Sequence, residues 1–121
     1  MASNLQRIAN HTDINVSVAN NLITVPSNKQ YLLKSLYLFN SRSDTLSITY
    51  SVYLVPPERP FNIAEVGAPA KTSLLWNQII VPGELHTKEF NLLVMNPGDK
   101  LVIYTGSANG VVAHAHGLVI E

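Results

Sequence analysis

The segment Thr45–Leu54 alternates polar and apolar residues with a strict period of two. Its apolar positions are Leu46, Ile48, Tyr50, Val52 and Leu54, and its other positions are Thr45, Ser47, Thr49, Ser51 and Tyr53. Successive side chains of a β-strand point to opposite faces, so this period predicts a strand with one buried face and one solvent-facing face. The chain is therefore expected to fold around a sheet that covers a core on one side.

Short strands separated by turn residues are predicted along the rest of the chain. The predicted strands are residues 15–18, 21–25, 30–39, 45–54, 74–81, 86–94, 100–105 and 111–120. Val81–Glu84 and Asn96–Asp99 each place Pro before Gly, as a type II turn requires, and Asn109-Gly110 is typical of a type I′ hairpin. This spacing predicts an all-β fold, an antiparallel β-sandwich of about eight strands that is jelly-roll-like. An immunoglobulin-like strand order stays open.

The 121 residues are expected to form one domain. Residues 1–14 are polar and without a period, which predicts an N-terminal arm, and residues 15–121 are predicted to form the single sandwich domain. A Pro-rich loop at 55–73 interrupts the strand spacing, and loops of this length are often functional. Apolar residues of the arm and the loop are the interface candidates: Leu5, Ile8, Phe61, Ile63 and Val66.

Charged residues make up 13% of the chain, against about 25% in typical soluble domains. This low share predicts a surface that is partly covered by partner subunits. The basic residues are scattered singly and the net charge is zero, so no nucleic-acid groove is predicted. The absence of cysteine excludes disulfides, thiolate metal sites and cysteine nucleophiles. The first residues are too polar for a signal peptide, and no apolar run is long enough to predict a membrane span.

His114 and His116 are two residues apart on a predicted strand, so both imidazoles share a face. With Glu121 their spacing resembles the first metal motif of cupins, which implies a divalent metal held by the two histidines and the glutamate. Glu121 has the opposite parity, and the glycine spacing before His114 departs from that motif. We therefore predict no metal site and no cofactor, with the His pair facing solvent or a subunit and the small residues Ala113, Ala115 and Gly117 packed inward.

No catalytic residue is predicted. The segment Gly106–Gly110 lacks the Gly-x-Ser-x-Gly spacing of a serine nucleophile, and no phosphate-binding loop or dinucleotide motif occurs. The carboxylates are scattered along the chain without a pairing that the sequence imposes. The protein is accordingly expected not to be an enzyme.

The block Leu22–Asn40 contains a strand, Val-Pro, a short polar turn, Lys and a long strand ending in Asn. An alternating Ser/Thr-rich strand, the turn Asn96–Asp99 and a last strand ending in Gly-Leu-Val-Ile-Glu follow it. This order is similar to small β-sandwich structural proteins of tailed bacteriophages. The resemblance implies a non-enzymatic virion protein, above all a capsid decoration (cement) protein that stabilises the head. It also implies a homotrimer that binds the major capsid protein or other virion proteins, assembled in the host cytoplasm, without nucleic-acid or membrane binding.

Two alternatives stay open at the level of sequence. A receptor- or carbohydrate-binding module of a tail or fibre would use exposed aromatic side chains, for which Tyr53, Trp76 and Tyr104 are the candidates. A cupin-like metal-binding enzyme would use His114 and His116.

Overall fold

Eight strands form in the part of the chain that the computed structural model describes, namely residues 5–57, 74–106 and 108–120. They are β1 (Leu5–Asp13), β2 (Asn20–Thr24), β3 (Gln30–Asn40), β4 (Ile48–Val55), β5 (Leu74–Ile80), β6 (Leu85–Met95), β7 (Lys100–Thr105) and β8 (Val111–Ile120). Most of their bounds lie within two residues of the predicted ones, because turn residues and periodicity are both local signals.

The strands form two antiparallel sheets that pack face to face. The first sheet has the order β1-β8-β3-β6 and the second has the order β2-β7-β4-β5. Consecutive strands alternate between the two sheets except for β4 and β5, which are neighbours in the second sheet. This order is that of a jelly roll. The predicted all-β sandwich is confirmed, and the immunoglobulin-like order is excluded.

The core lies between the inner faces of the two sheets. Ile48, Tyr50 and Val52 of β4 are completely buried, and Leu54 packs against the same cluster. The first sheet contributes three fully buried leucines, Leu33, Leu36 and Leu38. Burying one such side chain contributes about 1.5–3 kcal/mol. The period of two in the sequence therefore identified the inner face of β4.

Small residues of β8 let the first sheet pack closely, as predicted. Ala113 and Ala115 are completely buried. A Cβ atom built on Gly117 would lie 2.3 Å from the carbonyl oxygen of Leu32 and 2.6 Å from Cδ1 of Ile8. The close approach of β8 to β3 and β1 therefore depends on the missing side chain of Gly117.

The N-terminal segment is not an arm. Residues 5–13 form β1, which pairs with β8 along the edge of the first sheet, and Ala9 and Ile14 are buried. The pairing shifts register twice, between Arg7 and Ala9 and between Ala9 and Thr12. These irregularities break the alternation of side chains, and for this reason the segment shows no period in the sequence.

Three local predictions were wrong. Residues 15–18 form a turn in which Ser17 has a φ of 62°, rather than a strand. The type I′ hairpin at Asn109-Gly110 is not formed, because β7 and β8 lie in different sheets. Tyr53, expected on the solvent-facing side of β4, is only 5% exposed and clusters with Val55, Val102 and Tyr104 on the outer face of the second sheet. Alternation assigns a side chain to a face, but does not show whether that face is covered.

Candidate functional site

One end of the sandwich exposes a group of large apolar side chains, here called the apolar end patch. It is formed by Phe39, Leu46, Ile79, Val81 and Leu85. The exposed fraction reaches 61% for Ile79 and 56% for Leu85. Exposed apolar residues are common when they are scattered, but a concentration of them at one end of a domain favours an interaction surface.

The buried side chain of Asn40 holds this end of the sandwich together. Its Nδ2 donates to the carbonyl of Ile80 at 2.9 Å, and its Oδ1 accepts from the backbone N–H of Arg42 at 3.0 Å. The backbone N–H of Asn40 donates to Glu84 O at 3.1 Å, and its carbonyl accepts from Gly83 N–H at 2.8 Å. Three of these four bonds connect β3 to the strand β5 and to the turn before β6, and the fourth fixes the start of the loop after β3.

These bonds bring the patch residues to the same end of the sandwich, with Ile79 and Val81 on the side of the second sheet and Phe39 and Leu85 on the side of the first. Ile79 and Val81 flank Ile80, the acceptor of the Asn40 amide, and Phe39 is the Cα partner of Leu85 across β3 and β6. Leu46 joins them because its carbonyl accepts a longer bond of 3.4 Å from the same Asn40 amide. Phe39, Ile79 and Leu85 lie on strands and Val81 lies in the tight turn, so most of this surface is preformed.

The predicted turn Val81–Glu84 supports the patch. Gly83 has a φ of 81°, the left-handed conformation that a type II turn requires at this position. The Glu84 N–H donates to the carbonyl of Val81 at 3.1 Å, and Glu84 Oε1 accepts from the Val81 N–H at 3.1 Å. The Val81 bond is the main cause that lowers the pKa of the Glu84 carboxyl, and His86 lowers it further.

Beside this turn, a row of three hydrogen-bonded side chains, Tyr50, His86 and Glu84, leads from the core to the surface. The Tyr50 hydroxyl lies 2.6 Å from Nδ1 of His86, and Nε2 of His86 lies 3.0 Å from Oε1 of Glu84. A neutral His86 with its proton on Nε2 donates to Glu84 and accepts from the Tyr50 hydroxyl, so each group has a partner. Burial, followed by the charge of Glu84, raises the pKa of Tyr50. The hydrogen bonds among Tyr50, His86 and Glu84 keep Tyr50 neutral and join β4 to β6 across the two sheets.

Sequence reasoning missed both of these arrangements. Asn40 was recognised only as the end of a long strand, and Tyr50 only as a buried position of β4. Thirty-six residues separate Tyr50 from His86, and forty separate Asn40 from Ile80. A signal for Asn40 does exist, since an amide at the buried end of an apolar strand needs hydrogen-bond partners.

His114 and His116 share the outer face of the first sheet, as their spacing predicts. Their ring centroids are 5.4 Å apart, Tyr37 stacks on His114 at 4.7 Å, and His11 of β1 approaches His114 to 4.3 Å. Burial is the largest cause that lowers the pKa of His114, and the charges of His11, His116 and Arg7 lower it further. Within the described residues, no group of three His, Cys, Asp or Glu side chains could hold a metal ion, and Glu121 lies outside them.

The three aromatic candidates for a sugar site are not brought together. Tyr53 and Tyr104 lie in the small cluster on the outer face of the second sheet. Trp76 packs on the core side, where its ring contacts the Tyr50 ring edge-on with the ring centroids 5.3 Å apart. The Lys88 ammonium lies over the Trp76 ring, 5.7 Å from its centroid. A single sugar cannot contact both faces of one sheet.

The interface candidates have different outcomes. Leu5 is 68% exposed at the outer edge of the first sheet, as an interface residue would be. Ile8 packs partly buried against the core, because a register shift turns its side chain inward, so it is not an exposed contact residue. Phe61, Ile63 and Val66 lie outside the described residues, as does most of the predicted loop.

Comparison of the chain with protein-family models, with curated proteins and with solved structures finds no match. In residues 5–57, 74–106 and 108–120, no helix is long and apolar enough to cross a membrane.

Proposed function

We propose that this protein is a non-enzymatic structural component of a tailed-phage virion, specifically a capsid decoration protein that stabilises the head through subunit contacts. The apolar end patch carries the proposal, because five large apolar side chains are exposed at one end of the sandwich and are held in place by the buried Asn40. The virion assignment is supported by the resemblance of the block Leu22–Asn40, which forms β2 and β3.

The energetics of the patch suit a contact between subunits. Burying a large apolar side chain fully contributes about 1.5–3 kcal/mol, so five partly exposed ones supply a substantial part of a protein–protein contact. Because four of the five patch residues lie on strands or in a tight turn, little conformational entropy is lost when they bind. A homotrimer would present three patches to a shell, and this multivalency would fasten the protein without one tight contact.

The proposal is tested with the double variant Ile79→Ser/Leu85→Ser and the matched control Val18→Ser. Val18 is also exposed, but it lies in the turn between β1 and β2. Light scattering is expected to give a trimer for the wild type and the control. Both should co-sediment with shells assembled from the major capsid protein of the same genome, and the double variant should lose at least about tenfold in occupancy.

Two results would contradict the proposal. A double variant that occupies shells as the wild type does would remove the patch from the proposal. Failure of the wild-type protein to bind any shell would contradict the capsid role itself.

A further inference from the structure

A row of four polar side chains crosses the outer face of the first sheet. Arg7 of β1 is the Cα partner of His116 of β8, His116 is the partner of Ser35 of β3, and Ser35 is the partner of Glu89 of β6. Neighbouring strands lie about 4.8 Å apart, so the row spans all four strands of the sheet.

These four residues, with Lys34 and Tyr37, line a cavity of about 600 Å³. This volume falls within the range of small-molecule sites, roughly 300–1,000 Å³. The Tyr37 ring forms part of the wall and is held from behind by its stack on His114 at 4.7 Å. The cavity therefore has a rigid aromatic wall and a polar floor.

The polar groups that line the cavity lack partners within the described part of the protein. The side chains of Arg7, Lys34 and Glu89 make no hydrogen bond or ion pair to another described residue, and neither does the hydroxyl of Ser35. Ser35 is only 7% exposed. Its hydroxyl oxygen still reaches the cavity, where it can donate a hydrogen bond to a ligand and accept one from it.

The charges select the ligand. Two cations, Arg7 and Lys34, suit one carboxylate, and Arg can bind it with two parallel hydrogen bonds. Glu89, on the far side of Ser35, repels further anions but accepts hydrogen bonds from hydroxyl groups. A ligand with one carboxylate and several hydroxyls matches this set, whereas a polyacidic peptide would bring excess negative charge to Glu89.

We propose that this cavity binds a carboxylate-bearing sugar. The carboxylate lies at Arg7 and Lys34, the ring packs against Tyr37, and the hydroxyls bond to Ser35 and Glu89. The site does not depend on the decoration role, because it uses none of the residues of the apolar end patch.

The test is an NMR titration of the full-length protein with two matched pairs of sugars. Sialyllactose is compared with lactose and glucuronic acid with glucose, so that each pair isolates the carboxylate and the two pairs distinguish the kind of acidic sugar. We expect at least one acid to saturate the protein, with shifts confined to the cavity residues and affinity at least about tenfold above that of its neutral partner.

The variant Arg7→Gln/Lys34→Gln should weaken binding of the acid at least about tenfold, because both charged donors are lost. Lys100→Gln is the control, since it removes a charge from β7 of the second sheet. Both side chains of the double variant are exposed, and its spectrum reports whether the fold is retained. The variant Ile79→Ser/Leu85→Ser should bind the acid unchanged.

Several outcomes would overturn this site. They are the absence of saturation by either acid, equal binding of acid and neutral partner, and unchanged affinity in the double variant. Tighter binding of a glutamate-rich peptide than of either acidic sugar would also overturn it and would assign the cavity to a protein partner.

Discussion

At the residue scale, Asn40 connects the core to the apolar end patch. Its side chain is fully buried, and it satisfies the carbonyl of Ile80 and the N–H of Arg42 at the same time. A polar group that is deprived of its partner inside a protein costs free energy, whereas the same change at the surface costs little. The Asn40 amide therefore stabilises the end of the sandwich that carries the apolar end patch.

Replacement of Asn40 by Ala should lower the free energy of unfolding by about 2 kcal/mol, because the buried carbonyl of Ile80 and the partly buried N–H of Arg42 lose their partner. Urea unfolding measures the change, and Asn21→Ala, at an exposed position of β2, is the control. A loss below about 0.5 kcal/mol would show that water replaces the amide and that Asn40 does not stabilise the patch.

At the scale of elements, β8 is a central strand of the first sheet. It pairs with β1 on one side and with β3 on the other, and its inner face consists of Ala113, Ala115 and Gly117. These small residues were recognisable in the sequence as a close-packing face. Which backbone approaches them was not, because the partners Ile8 and Leu32 come from distant parts of the chain.

The variant Gly117→Ala should destabilise the protein by about 1–3 kcal/mol, since the new Cβ overlaps the carbonyl oxygen of Leu32, which can move only with the backbone. The control is Gly106→Ala, whose Cβ would meet only the Tyr104 ring at an ordinary 3.6 Å. Thermal unfolding compares the two. Equal midpoints for both variants would contradict the close packing of β8.

At the scale of the whole molecule, the stability of the sandwich should depend on pH through the imidazole group on its first sheet. The folded state holds the pKa of His114 below its usual value of 6.5, so the unfolded chain binds more protons as the pH falls through that value. The contribution of a neutral His114 is fully present above pH 6.5 and is lost as the pH falls below it.

Urea midpoints measured between pH 7.5 and 5 should therefore fall toward acid in the wild type and fall less steeply in His114→Gln. The titratable and charged groups that act on this histidine are Arg7 and His11 of β1 and His116 of β8. Identical slopes in the wild type and the variant would assign the acid sensitivity to these other groups.

The sequence by itself determined the strands β2 to β8, which side of β4 faces the core, and where Gly83 and Gly98 turn the chain with positive φ. These features depend on side-chain alternation and backbone sterics within a few residues. Only the tertiary structure decided the order of the strands, the place of β1 in the first sheet and the burial of Tyr53. It also joined Tyr50 to His86 and Glu84, and brought Arg7, Ser35 and Glu89 to one cavity. Such contacts join segments far apart in the chain, and no local pattern carries information about which segments will meet.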